Sequence, residues 1–201
     1  MFLQNEKYLK MKYLKELKKV SIDHKIPIIR DEIAIFLKEI IKKNNFKYIL
    51  EIGTGIGYSA LTMSNEFNYI TTIERDYLKY KLAKKFFSNF HCNIDFIWSE
   101  ALFYQPQIQY DFIFIDCAKA QYQKIFSKYS FFLKKEGFIV CDNLNFQNLS
   151  LNDLSVSKRK RRIIIKLKKF KNFLKENNNF HTIFKNIGDG ISISRKKYKF
   201  F

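Results

Sequence analysis

The sequence predicts an α/β fold with a doubly wound, mostly parallel sheet, and three observations lead to that prediction. Short apolar runs alternate with stretches of helical periodicity between residues 48 and 141, which is typical of a parallel sheet covered on both faces. The first of these runs ends in a cluster of glycines. Near the C-terminus, two strand-like segments are joined by the turn Gly188-Asp189-Gly190, which predicts an antiparallel hairpin at the edge of the sheet.

An N-terminal helical extension, residues 1–45, precedes the sheet. Apolar residues recur at helical spacing among the lysines of residues 1–20, and a second helix over 31–43 has acids in its first turn and lysines in its last. Along the sheet the sequence predicts these elements: strand 48–52, helix 58–66, strand 69–73, helix 77–87, strand 94–98, strand 111–116, helix 119–132 and strand 137–141. A long basic helix over 157–177 and a hairpin of strands 180–187 and 191–194 complete a single domain, residues 1–201.

Composition argues against several classes of protein. A hydrophobic fraction of 47% is enough to build a core, which argues against intrinsic disorder. The sequence has no run of about 18 apolar residues, so we expect neither a transmembrane helix nor a membrane partner, and no secretory signal is visible. The three cysteines, Cys92, Cys117 and Cys141, lack CxxC spacing, so we expect buried, unpaired thiols in a cytoplasmic protein.

The formal net charge of +18 is unevenly distributed along the chain. Residues 1–47 carry 12 basic and 6 acidic groups, residues 48–157 carry 10 and 11, and residues 158–201 carry 15 and 2. Three of the six arginines lie in the run Lys158-Arg159-Lys160-Arg161-Arg162. A biased composition would raise lysine throughout the chain, so it does not explain this concentration. The basic helix is therefore either an interface for the phosphates of a nucleic acid or a solvated helical face.

Half of the six glycines lie in Glu51-Ile52-Gly53-Thr54-Gly55-Ile56-Gly57, where the first predicted strand turns into a helix. Glycine there permits positive φ and lets the backbone approach a ligand. The spacing differs from the GxGxxG of dinucleotide sites, and the Glu51 carboxylate would repel a pyrophosphate but suits a cationic ligand. Glu74, at the end of the second strand, can accept hydrogen bonds from both hydroxyls of a ribose. These features favour S-adenosylmethionine over NAD, although a tight turn alone would also require the glycines.

Acidic residues follow two further strands. Asp116 ends the fourth predicted strand and Asp142-Asn143 ends the fifth, so the three side chains should meet at the carboxyl edge of the sheet. Two carboxylates and an amide oxygen suit Mg²⁺, or alternatively Ca²⁺. Lys119 lies three residues after Asp116, where burial and the cation would tune it as a general base. The alternative is that the two aspartates only cap helices or loops.

Four segments carry a resemblance to a known family: ILEIGTGIGYSAL (49–61), TTIERD (71–76), DFIFIDCAKAQY (111–122) and GFIVCDN (137–143). Together they resemble the cation-dependent class I O-methyltransferases, which include the catechol and caffeoyl-CoA enzymes, and the resemblance covers essentially the whole chain. HKIPII (24–29), the basic run KRKRR (158–162) and IGDGISISRK (187–196) are similar to a bacterial subgroup that converts 5-hydroxyuridine at the tRNA wobble position to 5-methoxyuridine. The resemblance implies a Rossmann-like methyltransferase sheet.

The resemblance also implies roles for particular residues. It implies that S-adenosylmethionine is contacted by Ile29, Glu51, Gly53, Ser59, Glu74, Glu100, Ala101 and Asp116. It implies that the metal is held by Asp116, Asp142 and Asn143, and that Lys119 and Asp116 are catalytic. With a tRNA substrate, the basic helix gains a purpose, and we expect the anticodon region to be bound by Arg159, Lys160, Arg161 and Arg162. A homodimer is expected as well.

Three functions remain open at this point. The first is O-methylation of 5-hydroxyuridine in tRNA, whose adjacent C5 hydroxyl and C4 carbonyl oxygens would chelate a cation as a catechol does. The second is O-methylation of a small catechol-like or phenolic acyl-CoA substrate, with the basic residues serving the phosphates of CoA or nothing. The third is RNA binding without catalysis, which is disfavoured because a binding module has no need of Asp116, Asp142, Asn143 and Lys119.

Overall fold

The computed structural model describes residues 2–88, 90, 92–145 and 157–197. Helices occupy Phe2–Asp23 (α1), Asp31–Asn44 (α2), Tyr58–Met63 (α3), Tyr77–Phe87 (α4), Tyr122–Ser130 (α5) and Lys158–Glu176 (α6). Strands occupy Tyr48–Ile52 (β1), Tyr69–Glu74 (β2), Ile94–Trp98 (β3), Tyr110–Ile115 (β4), Leu133–Cys141 (β5), Phe180–Lys185 (β6) and Ile191–Lys196 (β7). The predicted domain also includes residues 1, 89, 91, 146–156 and 198–201, which lie outside the described residues.

The strands form one seven-stranded sheet in the order β3-β2-β1-β4-β5-β7-β6. The first five strands are parallel to one another. Strand β7 runs antiparallel to β5, and β6 pairs with β7 at the outer edge. The predicted α/β fold, with its antiparallel C-terminal hairpin and N-terminal helices, is confirmed. The strand order reverses between β1 and β4, which is where open α/β sheets bind their ligands.

Two apolar clusters cover the two faces of the sheet. On one face, helices α1 and α2 bury Leu17 and Leu37 against residues such as Phe112 of β4. On the other face, α5 and α6 pack against Ile113, the residue next to Phe112 in β4, and against residues of the neighbouring strands such as Leu50 and Ile139. Successive residues of a strand point to opposite faces of the sheet. Because both faces are covered by apolar residues, the sequences of the strands are continuous apolar runs. The N-terminal extension is therefore part of the main core.

Several predicted boundaries are wrong, and specific hydrogen-bonded partners explain two of them. The helix predicted over 58–66 ends at Met63, where the buried Asn68 side chain donates to the Met63 carbonyl at 2.9 Å. The strand predicted over 137–141 begins at Leu133, because Leu133 already pairs with Tyr110 of β4 ahead of a register shift. The other corrected boundaries are 110–115 for the fourth strand, 69–74 for the second, 180–185 and 191–196 for the hairpin, and a division of the helix 119–132 into a 3-10 turn, Lys119–Gln121, followed by α5.

The cysteines differ from expectation in their burial. Cys141 is buried as predicted, whereas Cys92 and Cys117 are only partly buried. Cys117 lies beyond the end of β4 and lines an open cavity, and Cys92 lies just before β3, so neither is enclosed by the sheet. Among the described residues, no helix is long and apolar enough to cross a membrane.

The turn after β1 passes very close to the backbone at the end of β4. A Cβ atom placed on Gly53 would lie 1.9 Å from the backbone oxygen of Asp116, and Gly53 has a φ of +109°. Only glycine fits there, because any side chain would push the β1 turn away from the end of β4. Gly55, two residues further on, has a φ of +54° but open space around its Cβ position, with the nearest atom at 3.8 Å.

Replacing Gly53 and Gly55 one at a time with alanine separates the steric cost of a Cβ atom from the cost of a positive φ. We expect Gly53→Ala to lower the free energy of unfolding by about 3 kcal/mol or more, because backbone atoms must move apart. We expect the matched control Gly55→Ala to lose only about 1–2 kcal/mol, the cost of a left-handed backbone for alanine. Urea denaturation measures both values, and equal losses for the two variants would contradict the steric argument.

Candidate functional site

A cavity of about 420 Å³ lies at the carboxyl edge of the parallel strands. Backbone hydrogen bonds just beyond the strand ends hold this edge together. The N–H of Asp116 donates to the Ile52 carbonyl at 3.0 Å, and the N–H of Asp142 donates to the Ile115 carbonyl at 3.1 Å. The residues that follow β1, β4 and β5 are thereby fixed side by side at the point where the strand order reverses.

Seven of the eight residues predicted to contact the cofactor line this cavity. They come from the loop before α2, the turn after β1, the start of α3 and the ends of β2, β3 and β4: Ile29, Gly53, Ser59, Glu74, Glu100, Ala101 and Asp116. The eighth, Glu51, does not line it. The structure thus brings together residues that are far apart in sequence, and their contact with a cofactor stays a prediction.

The Glu74 carboxylate is held in place by the backbone on both sides. Its Oε2 accepts from the Gly55 N–H at 2.9 Å and its Oε1 accepts from the Asp76 N–H at 2.9 Å. A carboxylate oxygen can accept more than one hydrogen bond, so both oxygens keep capacity for a ligand in the cavity. This fixed, acceptor-only group suits the predicted hydrogen bonds from two ribose hydroxyls.

Helix α5 supports the loop that carries Glu100 and Ala101. The Tyr129 hydroxyl donates to the Ala101 carbonyl at 2.7 Å, and Lys128 Nζ donates to the carbonyls of Leu102 at 2.8 Å and Tyr104 at 2.5 Å. Burial lowers the pKa of Lys128. Sequence reasoning missed Lys128 and Tyr129, because their positions in a helix give no sign of a contact with a loop more than 20 residues earlier.

Glu51 lies beneath the glycine turn and is fully buried. Its Oε2 accepts from the Thr72 hydroxyl at 2.5 Å, whereas Oε1 has no partner of hydrogen-bonding geometry among the described residues. Burial is the main reason that the pKa of Glu51 is raised to about 8. The hydroxyls of Ser59 and Thr72 lower this pKa, whereas the nearby carboxylates of Asp116 and Glu74 raise it further. Burial therefore favours the neutral acid form of Glu51 over the negative charge that the sequence suggested.

The raised pKa of Glu51 predicts how stability depends on pH. Below its ordinary value of 4.5, Glu51 is protonated in both folded and unfolded chains, and its full contribution to stability is present. As pH rises from there towards 8, only the unfolded chain ionises, so this contribution is lost at up to about 1.4 kcal/mol per pH unit. We expect Glu51→Gln, which stays neutral, to lose less stability than the wild type between pH 5 and 8.

Urea denaturation at several pH values measures this difference. Glu66→Gln, which changes an exposed carboxylate, is the matched control and should follow the wild type. Parallel stability curves for the wild type and Glu51→Gln would show that Glu51 has an ordinary pKa in the folded protein.

Asp116 and Lys119 face each other at the end of β4. Lys119 Nζ donates to Asp116 Oδ1 at 3.0 Å, and both side chains are largely buried. Lys119 lies in the 3-10 turn, not in the first turn of an α-helix as predicted, and its ammonium also lies 5.5 Å from the centre of the Tyr122 ring. Both Asp116 and Lys119 line the cavity, so the two groups predicted to be catalytic are close to each other and open to a ligand.

Asp142 and Asn143 lie next to this pair, beyond the end of β5. Asp142 Oδ1 accepts from the Asn143 N–H at 2.6 Å, and the Tyr122 hydroxyl donates to the Asp142 carbonyl at 2.9 Å. Asn143 has a φ of 58°, a left-handed conformation that asparagine tolerates better than most residues. Burial and the Asp116 carboxylate raise the pKa of Asp142 to about 6. The hydrogen bond from Asn143 and the charge of Lys119 lower this pKa, but their effect is smaller.

These residues form a set of oxygen donors that fits a divalent cation. Two carboxylates that repel each other are brought into one cavity with an amide side chain, and a hard cation between them would relieve the repulsion. The described residues contain no cluster of three His, Cys, Asp or Glu side chains, so a cation here depends on Asn143 as well as on Asp116 and Asp142.

The turn of the C-terminal hairpin reaches the cavity. Arg30 Nη2 donates to Asp189 Oδ1 at 2.7 Å, and both residues line the cavity. The Asp189 carbonyl accepts from the Asn145 N–H at 2.8 Å, and Lys171 Nζ of α6 donates to Asn145 Oδ1 at 2.6 Å. The Gly-Asp-Gly pattern predicted the hairpin turn but not this link between the N-terminal loop, the segment after β5 and α6.

The basic residues of α6 lie outside this cavity. Arg159, Lys160 and Arg162 are exposed and Arg161 is partly buried. The opposite side of the helix is anchored by three buried residues, Leu167, Phe170 and Leu174. The predicted two-sided character of the helix is confirmed, and the structure presents its basic run on the surface.

Comparison with known proteins identifies the family. The family model described as O-methyltransferase matches residues 4–197. A tapetum-specific methyltransferase of Arabidopsis thaliana is 30% identical over an alignment of 200 positions, which covers 91% of this chain and 85% of that protein. A Staphylococcus aureus structure, provisionally assigned as a caffeoyl-CoA O-methyltransferase, has a TM-score of 0.85 and 31% identity, and the match covers 96% of this chain and 99% of that one.

A more distant structure agrees in fold. An O-methyltransferase of Bacillus cereus, solved in complex with S-adenosylhomocysteine, has a TM-score of 0.77 at 20% identity, with 92% of this chain and 91% of that chain covered. The sheet and the crevice at its carboxyl edge define a Rossmann-like methyltransferase fold. The chain belongs to the O-methyltransferase family.

Proposed function

We propose that this protein transfers the methyl group of S-adenosylmethionine to the C5 hydroxyl of 5-hydroxyuridine at the wobble position of tRNA, giving 5-methoxyuridine. One observation supports the transfer chemistry: the glycine turn and a set of polar side chains suited to methyl transfer line the same cavity. These side chains are Glu74, Asp116, Lys119, Asp142 and Asn143. The S-adenosylhomocysteine in the Bacillus cereus relative supports the choice of cofactor.

In this proposal the two halves of the cavity have different roles. The half over β1, β2 and β3 holds the cofactor, with Glu74 accepting from the ribose hydroxyls and Glu100 and Ala101 lying beside the base. Arg75 Nη1 lies 3.7 Å from Glu100 Oε2 and holds that carboxylate at the rim. The half over β4 and β5 receives the substrate hydroxyl, so that nucleophile and methyl group are held in line, which contributes up to about 7–11 kcal/mol to lowering a barrier.

Asp116, Asp142 and Asn143 would hold Mg²⁺, with Ca²⁺ as the alternative ion. Such a cation, when bound, lowers the pKa of the substrate hydroxyl and fixes its direction. The hydroxyl proton passes to Lys119 while the bond from sulfur to methyl breaks and the bond from oxygen to methyl forms. Asp116, 3.0 Å from Lys119, then stabilises the resulting ammonium.

The basic end of α6 supports tRNA as the substrate. Five consecutive basic residues, 158–162, occupy the beginning of the helix, where positive charge is unfavourable because it meets the positive end of the helix dipole. The phosphates of an RNA would offset this repulsion and would be bound by arginine with good geometry. An exposed basic run that weakens its own helix is better explained by an anionic partner than by solvation alone.

A small phenolic or acyl-CoA substrate is the second candidate. The similarity to a protein provisionally assigned as a caffeoyl-CoA O-methyltransferase favours it, and the same oxygen ligands would serve a catechol. A homodimer stays a prediction; α1 leaves Tyr8, Leu9 and Met11 exposed, an apolar strip that a second copy could cover.

A methyl-transfer assay distinguishes the candidates. The protein is incubated with labelled S-adenosylmethionine and Mg²⁺, together with tRNA containing 5-hydroxyuridine, with catechol or with caffeoyl-CoA. We expect the label in the tRNA, and we expect Lys119→Met to slow the transfer by about 100-fold or more, because a general base is lost. The control Lys124→Met changes an exposed lysine of α5 and should keep the wild-type rate.

Each contrary outcome has a clear meaning. Label in the small phenols alone would overturn the tRNA substrate and favour the second candidate. Tight tRNA binding without any transfer would favour an RNA-binding protein without catalytic activity. Equal rates for Lys119→Met and Lys124→Met would remove Lys119 from the proton transfer.

The basic run can be tested by the salt dependence of tRNA binding. Replacing Arg159, Arg161 and Arg162 with alanine removes three phosphate-binding groups, so we expect weaker binding and a log–log salt slope that is shallower by about two to three units. The matched control replaces Lys12, Lys15 and Lys19, three exposed lysines of α1, and removes the same charge. An unchanged slope in the arginine variant, or an equal change in both, would remove this part of α6 from the RNA interface.

A further inference from the structure

Three side chains form a hydrogen-bonded chain beneath the glycine turn. Thr72 on β2 lies directly opposite Glu51 on β1 in the register of the two strands. Its hydroxyl donates to Glu51 Oε2 at 2.5 Å, and the hydroxyls of Thr72 and Thr54 are 2.6 Å apart. All three residues are buried, but Thr54 also lines the cavity. The chain therefore runs from a carboxyl group inside the sheet to the wall of the cavity.

Thr72 lies in the middle of this chain and bonds on both sides. A hydroxyl group can donate one proton and also accept, so Thr72 bonds to Glu51 and to Thr54 at the same time. Either hydroxyl can be the donor in the bond between Thr54 and Thr72. In both directions the Thr54 hydroxyl is held from below, at the wall of the cavity.

The hydrogen bonds of Thr72 and Thr54 stabilise the glycine turn, whose backbone hydrogen bonds lie only at its two ends. The N–H groups of Gly53 and Thr54 both donate to the Ile73 carbonyl, at 3.0 and 3.3 Å, and the Gly57 N–H donates to the Thr54 carbonyl at 2.8 Å. The peptide between Thr54 and Gly55 carries the N–H that donates to Glu74. Any movement of Thr54 would therefore also move the bond that orients Glu74.

We propose that Thr72 is a positioning residue for cofactor binding. Thr72 holds Thr54 and the glycine turn in the conformation that binds the cofactor, and through it the buried Glu51 affects cofactor binding without contacting the cofactor. This inference rests on the proposed function, because it takes S-adenosylmethionine as the ligand. It gives Glu51 a part in cofactor binding that agrees with its place outside the cavity lining. The alternative is that the chain only satisfies buried polar groups, which would affect stability and not affinity.

Removing one hydroxyl tests the proposal. Thr72→Val keeps the shape of the side chain and breaks both bonds, so we expect the Kd and KM for S-adenosylmethionine to rise about three- to tenfold, with kcat within about twofold of the wild type. Thr72→Ser keeps a hydroxyl and should restore the affinity. Isothermal titration with S-adenosylmethionine and S-adenosylhomocysteine measures the Kd directly on the full chain.

Thr62→Val is the matched control. Thr62 is also buried, but its hydroxyl donates to the Tyr58 carbonyl of its own helix, so its loss should lower stability without changing the Kd. A wild-type Kd in Thr72→Val, or equal shifts in Thr72→Val and Thr62→Val, would overturn the positioning role and leave the proposed function intact. A wild-type protein that binds neither S-adenosylmethionine nor S-adenosylhomocysteine would overturn both.

A double-mutant cycle tests whether the chain acts as a unit. If Thr72 acts through Thr54, the variant with both Thr54→Val and Thr72→Val should bind S-adenosylmethionine no more weakly than the weaker of the two single variants. Fully additive losses would mean that the two hydroxyls act independently, and would contradict the proposed transmission from Thr72 to the turn.

Discussion

The arrangement of the site depends on the contact between Gly53 and the backbone of Asp116. The turn after β1 lies so close to the end of β4 that no Cβ atom can stand between them. On one side of this contact lie the glycine turn and Glu74, and on the other lie Asp116, Asp142 and Lys119. A ligand that spans the contact meets both groups at once. The two groups share one cavity because a side chain is missing at one position.

The interior of the sheet was well predicted from the sequence, while its boundaries were not. Strands that are buried on both faces must be apolar at every position, so β1 and β4 were visible as continuous runs. The ends of elements depend on partners elsewhere in the chain. Strand β5, for example, begins early because Leu133 pairs with Tyr110 of β4. No local pattern contains that information.

The same distinction applies to the site. Glu74, Asp116 and Asp142 could be predicted because each follows an apolar run, and parallel strands bring their carboxyl ends together. The environment of Glu51 could not, since the sequence does not reveal that its side chain is enclosed, and enclosure raises the pKa of this carboxyl group. The supporting contacts of Lys128 and Asn145 also join segments that are unrelated in sequence. The assignment of chemical roles came from the resemblance and stays a prediction, while the geometry shows that the residues lie in one cavity.

The ion pair between Arg30 and Asp189 has a consequence for how the protein is made. These two residues are 159 positions apart, and the turn that carries Asp189 also holds the segment after β5. The glycine turn, the acidic residues and α6 all precede Asp189 in the sequence, so they are synthesised before this ion pair can form. The link between the N-terminal loop and the hairpin turn is therefore a contact that none of the earlier segments can supply.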